Sequence, residues 1–349
     1  MPHLKIVTFT LELLSCAFIP LFEGGLKNRA LSDSYRAIAG SSQILKLLDN
    51  VILLVWGDLL ASDSLQFGFK RNTSTTECSW LIMEVASYFV RQGTPVILTL
   101  LDCSKAFDMC KFSTLFQKLI DKDLPAIVIR MLICIYEEQR GFTVWNGTRS
   151  DYFNITNGTR QGSVLSPTLF AIYIDDLLKE LRRAGYGCHI GGIWVGAAGY
   201  ADDLVLIAPS RTAMQNMLYL CESFAQSHNL QYSTNPIPAL SKSKCIFMCG
   251  SQETVYPKAL TLFGQSLPWV EHGTHLGHEL HQSCSMDMDI GIKRAQFIET
   301  AIQIRDTFSF VRPEEILRAV NVYAGHWYGA MLWDIYGEKC AQLCRSWSS

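Results

Sequence analysis

Gly199-Tyr200-Ala201-Asp202-Asp203-Leu204-Val205-Leu206-Ile207 sets two adjacent carboxylates between apolar, strand-forming residues. Glycines lie just upstream, at Gly191, Gly192, Gly196 and Gly199. The pattern predicts a β-hairpin with both acids at its bend. Neighbouring carboxylates repel one another and desolvate poorly, so a half-buried pair calls for a cation. A divalent metal supplies that charge, and acid-bound metals are the core of two-metal phosphoryl transfer. The pair gains meaning only beside a third carboxylate and a nucleotide pocket.

Val96 to Leu101 is an unbroken apolar run with one Thr, which predicts a buried strand. It runs straight into Asp102-Cys103-Ser104-Lys105-Ala106-Phe107-Asp108. An acid in that place projects from the end of a sheet, or caps the next helix. Two strands that each deliver acids at their ends can build an oxygen-rich Mg²⁺ site. A second pair, Asp175-Asp176, lies among apolar residues at helical spacing (Leu169, Phe170, Tyr173, Ile174, Leu177, Leu178, Leu181). That spacing predicts the polar, solvated side of a helix over 169–184, so the metal site is expected at 202–203. Between the acid sites, Asn157 to Pro167 forms a polar, glycine-bearing loop. Ser166 and Pro167 suit a helix start, and Gln161 can hydrogen-bond a nucleotide.

At 349 residues, the chain has room for one large domain or two to three small ones. A 49% apolar composition supports a substantial core. The net charge of −2 excludes a generally basic coat for nucleic acid but allows a local basic groove. Twelve cysteines occur without CxxC or zinc spacing and read as reduced core thiols of an intracellular protein. Leu4 to Phe22 is apolar-rich, but Lys5, Glu12 and Pro20 interrupt it, so globular structure is expected there and no membrane partner. Further helices are predicted over 41–60, 74–91, 112–120, 126–138, 212–228 and much of 287–333, with a hairpin around Asn146-Gly147. Helices and antiparallel strands are mixed without βαβ alternation, which is an α+β pattern.

Taken in order, Asp102 to Asp108, Arg160-Gln161-Gly162-Ser163-Val164-Leu165-Ser166-Pro167 and Tyr200-Ala201-Asp202-Asp203 resemble motifs A, B and C of reverse transcriptases. The chain resembles the non-LTR (LINE-type) retrotransposon members of that family. Ser34-Tyr35-Arg36-Ala37-Ile38 is similar to the fingers motif YRPI, and Gln66-Phe67-Gly68-Phe69-Lys70 to QFGFR. Ser243 to Met248 resembles motif D, and His275-Leu276-Gly277 the LG motif of the primer grip. The resemblance implies a right-hand polymerase fold: fingers and palm over 1–280, and a partial thumb over 281–349.

It also implies roles. Asp102, Asp202 and Asp203 would hold two Mg²⁺ ions, with Mn²⁺ able to substitute. Phe107 matches the steric gate against a ribose 2′-hydroxyl, although a core Phe accounts for it equally. Arg160, Gln161, Gly162 and Tyr200 fall at nucleotide-contacting positions. Lys244 matches the lysine that protonates leaving pyrophosphate, with Lys242 a competitor. Arg36, Lys70 and Arg71 are candidates for triphosphate contact. The expected partners are an RNA template, a DNA primer and dNTPs.

Three departures stand out. Ala37 replaces the proline of YRPI, the basic residue after Gly68-Phe69 is shifted, and the loop before motif D is long. The chain reads as a fragment of a transposon frame that begins within the fingers and ends in thumb-like helices. Two alternatives follow: a remnant that only binds nucleic acid, and an RNA-directed RNA polymerase, which Phe107 disfavours.

Overall fold

Val96–Leu101 is the middle strand of a five-stranded sheet in the computed structural model. The structure describes residues 9–22, 24, 28–160, 162–235, 237, 240–249, 256–324, 330–334 and 337–348. The strand order is Trp269–Val270, Lys244–Met248, Val96–Leu101, Asp203–Ala208, Ala197–Tyr200. Both neighbours of the middle strand run antiparallel to it.

Every residue of Val96–Leu101 is buried, because both faces of the sheet are covered. Ile97, Leu101, Leu204, Leu206 and Cys245 join a core with the helices Phe112–Asp121, Ala126–Glu138, Ser166–Ala184 and Arg211–Ser227. Val96, Leu98, Leu100, Val205, Ile207 and Ile246 join a second core with Cys78, Ile82 and Val85 of the helix Thr75–Arg91. The alternation follows from the pleat, which sends successive side chains to opposite faces. Thr99, fully buried, has its hydroxyl 3.4 Å from the thiol of Cys245 directly across the ladder.

The predicted helices form, with small shifts at their ends. Ser74 caps Thr75–Arg91 in a capping box with Glu77. The helix predicted over 169–184 starts at Ser166, with Leu165 in the cap position and Pro167 in the first turn. Asp49 accepts the Leu165 N–H at 3.4 Å, so an orphan amide near the start is served from another helix. Asn146 and Gly147 take φ of +47° and +77°, as a two-residue hairpin turn requires.

The N-terminal apolar stretch is not a helix over its described part. After one helical turn at Leu11–Leu14 it becomes the strand Ser15–Phe22, paired antiparallel with Tyr35–Gly40 and parallel with Arg140–Trp145. The second pairing stops at Phe18, so Pro20 lies where the strand has one neighbour and its missing N–H costs least. Residues 1–8 lie outside the described part. Among the described residues no helix is long and apolar enough to cross a membrane. All twelve cysteines are free thiols and eight are buried, as expected of core residues.

Beyond the sheet, the hairpin His272–His275/His278–His281 carries the helix Asp287–Thr307. Asp289 is buried between them, accepting the Glu279 N–H at 3.2 Å and the Trp333 indole N–H at 2.8 Å. The helices Pro313–Tyr323 and Glu338–Ser348 pack against the same helix.

Candidate active site

The three acids meet where two neighbouring strands end. Leu204 pairs with Leu101 across the antiparallel ladder. One rung further, that register sets Asp203 across from Asp102, on the same face of the pleat. Asp202 and Ala201 form the two-residue turn between Ala197–Tyr200 and Asp203–Ala208, with Tyr200 paired to Asp203. Ala201 takes φ +55°, a left-handed conformation that this turn demands.

Asp102 is held from behind. Its N–H donates to the hydroxyl of Ser243 at 3.2 Å, and its carbonyl accepts the Ser233 N–H at 2.7 Å. The next residues continue the seam, with Cys103 bridging Tyr232 and the Ser104 N–H donating to the Gln231 carbonyl at 2.8 Å. Burial raises the Asp202 carboxyl above its ordinary range, aided by the charge of Asp102 and opposed by Arg36. Burial, then the charges of Asp202 and Asp102, push Asp203 up to about 6, with Lys242 opposing. Negative charge is thus concentrated beyond what two nearby cations offset.

The Asp175-Asp176 pair differs in this respect. The expectation that it is solvated fails for Asp175, which is 2% exposed. Asp175 accepts the Asp63 N–H and pairs with Lys179 at 2.7 Å. Asp176 pairs with Lys118 at 2.6 Å and Lys179 at 3.2 Å. Asp63 in turn takes both arms of Arg182 at 2.7 Å. Each of these acids has its own fixed cation, which makes the cluster a structural ion network.

That network also claims Lys70, whose ammonium donates to the carbonyls of Ser62 and Asp63. These bonds anchor the 62–63 loop. Arg160 is likewise held inside: it is 4% exposed, with its guanidinium 5.3 Å over the Tyr136 ring. Arg36 is exposed on the strand Tyr35–Gly40, within electrostatic reach of Asp202.

Phe107 is half-buried on the helical turn Ala106–Met109. Its ring stacks on Phe170 at 4.6 Å and meets Phe69 edge-on at 6.4 Å, while Phe69 reaches Tyr200 at 6.4 Å. One side is therefore core, and the other continues an aromatic row toward the acids. The 157–167 loop is sewn to this turn. Asn157 donates to the Asp108 carbonyl at 2.8 Å and the Thr159 N–H to the Phe107 carbonyl at 2.7 Å. Gly162 takes φ +108°, and a Cβ there would come within 2.8 Å of the Ala39 carbonyl. Gln161 lies outside the described residues.

Of the two candidate lysines, the structure brings Lys242 to the acids, with Nζ 3.7 Å from Asp102 Oδ2. Lys244 opens its strand opposite Leu100, and its stem runs along Gly273, whose Cβ position lies 3.1 Å from Lys244 Cε. Two positioning groups carried no role in the sequence reading. Asp49, 3% exposed, accepts the Ser163 hydroxyl and so anchors the 157–167 loop. A lone acid on the apolar side of a helix was its only signal. Gln66, wholly buried, binds the backbone of Ala201.

The donor set suits a hard divalent cation: three carboxylates in partial burial, two of them with raised proton affinity. Among the described residues no group of three or more His, Cys, Asp or Glu converges as a ready metal cage. Mg²⁺ usually takes one or two carboxylates and completes its shell with water and substrate phosphates, so the residues present fit it.

The profile described as reverse transcriptase (RNA-dependent DNA polymerase) matches residues 26–280. A Pol polyprotein of the type-2 retrotransposable element R2DM from Drosophila melanogaster is 24% identical over 264 residues, covering 74% of this chain and 25% of that protein. The RNA-directed DNA polymerase of the mobile element jockey from Drosophila funebris is 26% identical, covering 70% of this chain and 28% of that protein. The chain spans about a quarter of the length of these relatives. Among solved structures, telomerase of Candida tropicalis in complex with a telomeric RNA fragment superimposes with a TM-score of 0.52 at 10% identity. That match covers 79% of this chain and 44% of the telomerase, and it shows the shared polymerase fold. With the motif order and acid geometry described above, these likenesses settle the family: the chain belongs to the reverse transcriptases and is a domain of the non-LTR retrotransposon type.

Proposed function

We propose that this chain extends a primer by RNA-directed DNA synthesis. The 3′-oxygen of the primer attacks the α-phosphorus of a dNTP, the bond to the bridging oxygen breaks, and pyrophosphate leaves. The observation that carries the reading is the placement of Asp102 and Asp203 one rung beyond the Leu101–Leu204 pair, with Asp202 on the adjoining turn. When bound there, two Mg²⁺ or Mn²⁺ ions would neutralise the triphosphate and lower the pKa of the 3′-hydroxyl.

Asp102, Asp202 and Asp203 would hold those ions. Lys242 stands where a cation can meet the leaving pyrophosphate, the role expected of Lys244. Arg36, exposed near Asp202, faces the triphosphate. The side of Phe107 away from Phe170 excludes a 2′-hydroxyl, and Gly162 keeps the nucleotide loop close against the strand Tyr35–Gly40. Gln161 contacts the nucleotide and Tyr200 lines the approach to the turn. Residues 1–280 act as fingers and palm, and 281–349 as part of a thumb.

The test is extension of an oligo(dT) primer on poly(rA) by the purified chain with dTTP and Mg²⁺. Incorporation that disappears in Asp102→Asn and Asp203→Asn supports the reading. Duplex binding without incorporation identifies a binding remnant instead. Preference for ribonucleotides identifies an RNA polymerase.

A further inference from the structure

We propose that Gln66 is a positioning residue for the Ala201–Asp202 turn, fixing the direction in which the acids point. The inference deepens the polymerase reading and rests on it. Ala201 holds a left-handed backbone at φ +55°, which a residue with a Cβ adopts only when its surroundings impose it. Ala201 is buried, and a cavity of about 20 Å³ beside it is lined by Gln66, Cys103, Phe170, Ala201 and Asp202.

Gln66 holds the conformation that the turn demands. Its Oε1 accepts the Ala201 N–H at 2.9 Å, and its Nε2 donates to the Ala201 carbonyl at 3.3 Å. One side-chain amide thereby grips both polar groups of the turn residue. The same Oε1 accepts the Gly68 N–H at 2.9 Å, which ties the grip to its own loop. The backbone adds a short parallel bridge, with the Phe67 N–H donating to the Gly199 carbonyl at 2.7 Å and the Gly199 N–H to the Leu65 carbonyl at 2.8 Å.

Close approach is part of the device. A Cβ on Gly68 would lie 2.3 Å from the Ala201 nitrogen, so only glycine admits this contact. Gln66 itself is 0% exposed. A buried amide is costly unless bonded, and its oxygen and nitrogen serve an N–H and a carbonyl at once. A carboxylate would serve the N–H alone, and an apolar side chain neither.

The test uses the full chain with Gln66→Met, which keeps length and loses both bonds. Amide hydrogen exchange at Ala201 is expected to speed by about tenfold or more as local protection is lost. Single-turnover incorporation should fall about 10- to 100-fold while the KM for dNTP changes little, the mark of an interaction that matters at the transition state. The half-saturating Mg²⁺ concentration should rise with it. Gly68→Ala leaves Gln66 intact but presses on the Ala201 nitrogen. It should give the same pattern, and it decides the matter if Gln66→Met does not fold. A folded variant with unchanged Ala201 exchange and unchanged incorporation overturns the proposal. If the unaltered chain incorporates nothing, the polymerase reading fails, while Ala201 exchange still reports whether Gln66 holds the turn.

Discussion

Lys242 Nζ stands 3.7 Å from Asp102 Oδ2, whereas Lys244, two residues on, lies along Gly273 in the ladder. A side chain that delivers a proton to the leaving group must reach it. Lys242→Ala is therefore expected to slow single-turnover incorporation by about 10²-fold, within the range for general acids. Lys244→Ala should cost mainly stability. The reverse ranking of the two rates would restore Lys244 to the role.

The raised carboxyl of Asp203 works against the metal-free fold at neutral pH. Its folded carboxyl titrates at about 6, above its ordinary value near 3.8. Between those values the folded state binds more protons, so this contribution makes the metal-free protein less stable as pH rises through the window. Asp203→Asn is expected to stabilise the metal-free fold at pH 7 in chelator by on the order of 1 kcal/mol after solvent screening, seen as a higher melting temperature. The same variant should abolish incorporation. An unchanged or lower melting temperature would contradict the raised carboxyl.

Asp175→Asn should act in the opposite direction. That buried carboxylate accepts the Asp63 N–H and pairs with Lys179 at 2.7 Å. The loss weakens a charge-assisted hydrogen bond and a pair whose lysine is half exposed and keeps Asp176 at 3.2 Å, at a cost of about 1–2 kcal/mol. Denaturant midpoints of the two Asn variants, measured side by side, check the contrast between ion network and candidate metal site.

Phe107→Leu keeps an apolar group on Phe170 but removes the ring from the aromatic row. Discrimination between dNTP and rNTP, read as a ratio of kcat/KM, is expected to fall by about tenfold or more, in the range that pocket shape alone provides. A ratio unchanged in a folded variant would assign Phe107 to the core.

His275 sets an acid limit on the fold. Burial, then the neighbouring His278, depress its imidazole to about 3, and Ser79 Oγ lies 3.0 Å from its Nδ1. The unfolded chain takes up the proton near pH 6.5 and the folded one does not, so stability falls as pH drops from about 6.5 toward 3. His275→Gln should flatten urea midpoints over that window.

Much of this molecule was legible because local rules govern it. The strand 96–101 and the helix 126–138 formed as read, and the Asn146-Gly147 turn took the φ values its residues favour. The strand Ser15–Phe22 escaped notice, since its pairing with Arg140–Trp145 depends on residues more than a hundred positions away. Asp175 was misread for a related reason. Helical spacing shows a polar face but not the Asp63 N–H and the cations packed against it.

The sequence by itself determined the order of the motifs, the acids that end two strands and the family those features imply. Periodicity, turn chemistry and motif spacing act over a few residues and are written along the chain. Only the tertiary structure decided that Lys242 rather than Lys244 faces Asp102, that Lys70 and Arg160 make the internal contacts they do, and that Gln66 grips Ala201. The distinction is physical. A side chain's partner depends on which segments the fold brings together, and Gln66 meets its partner across 135 positions of chain.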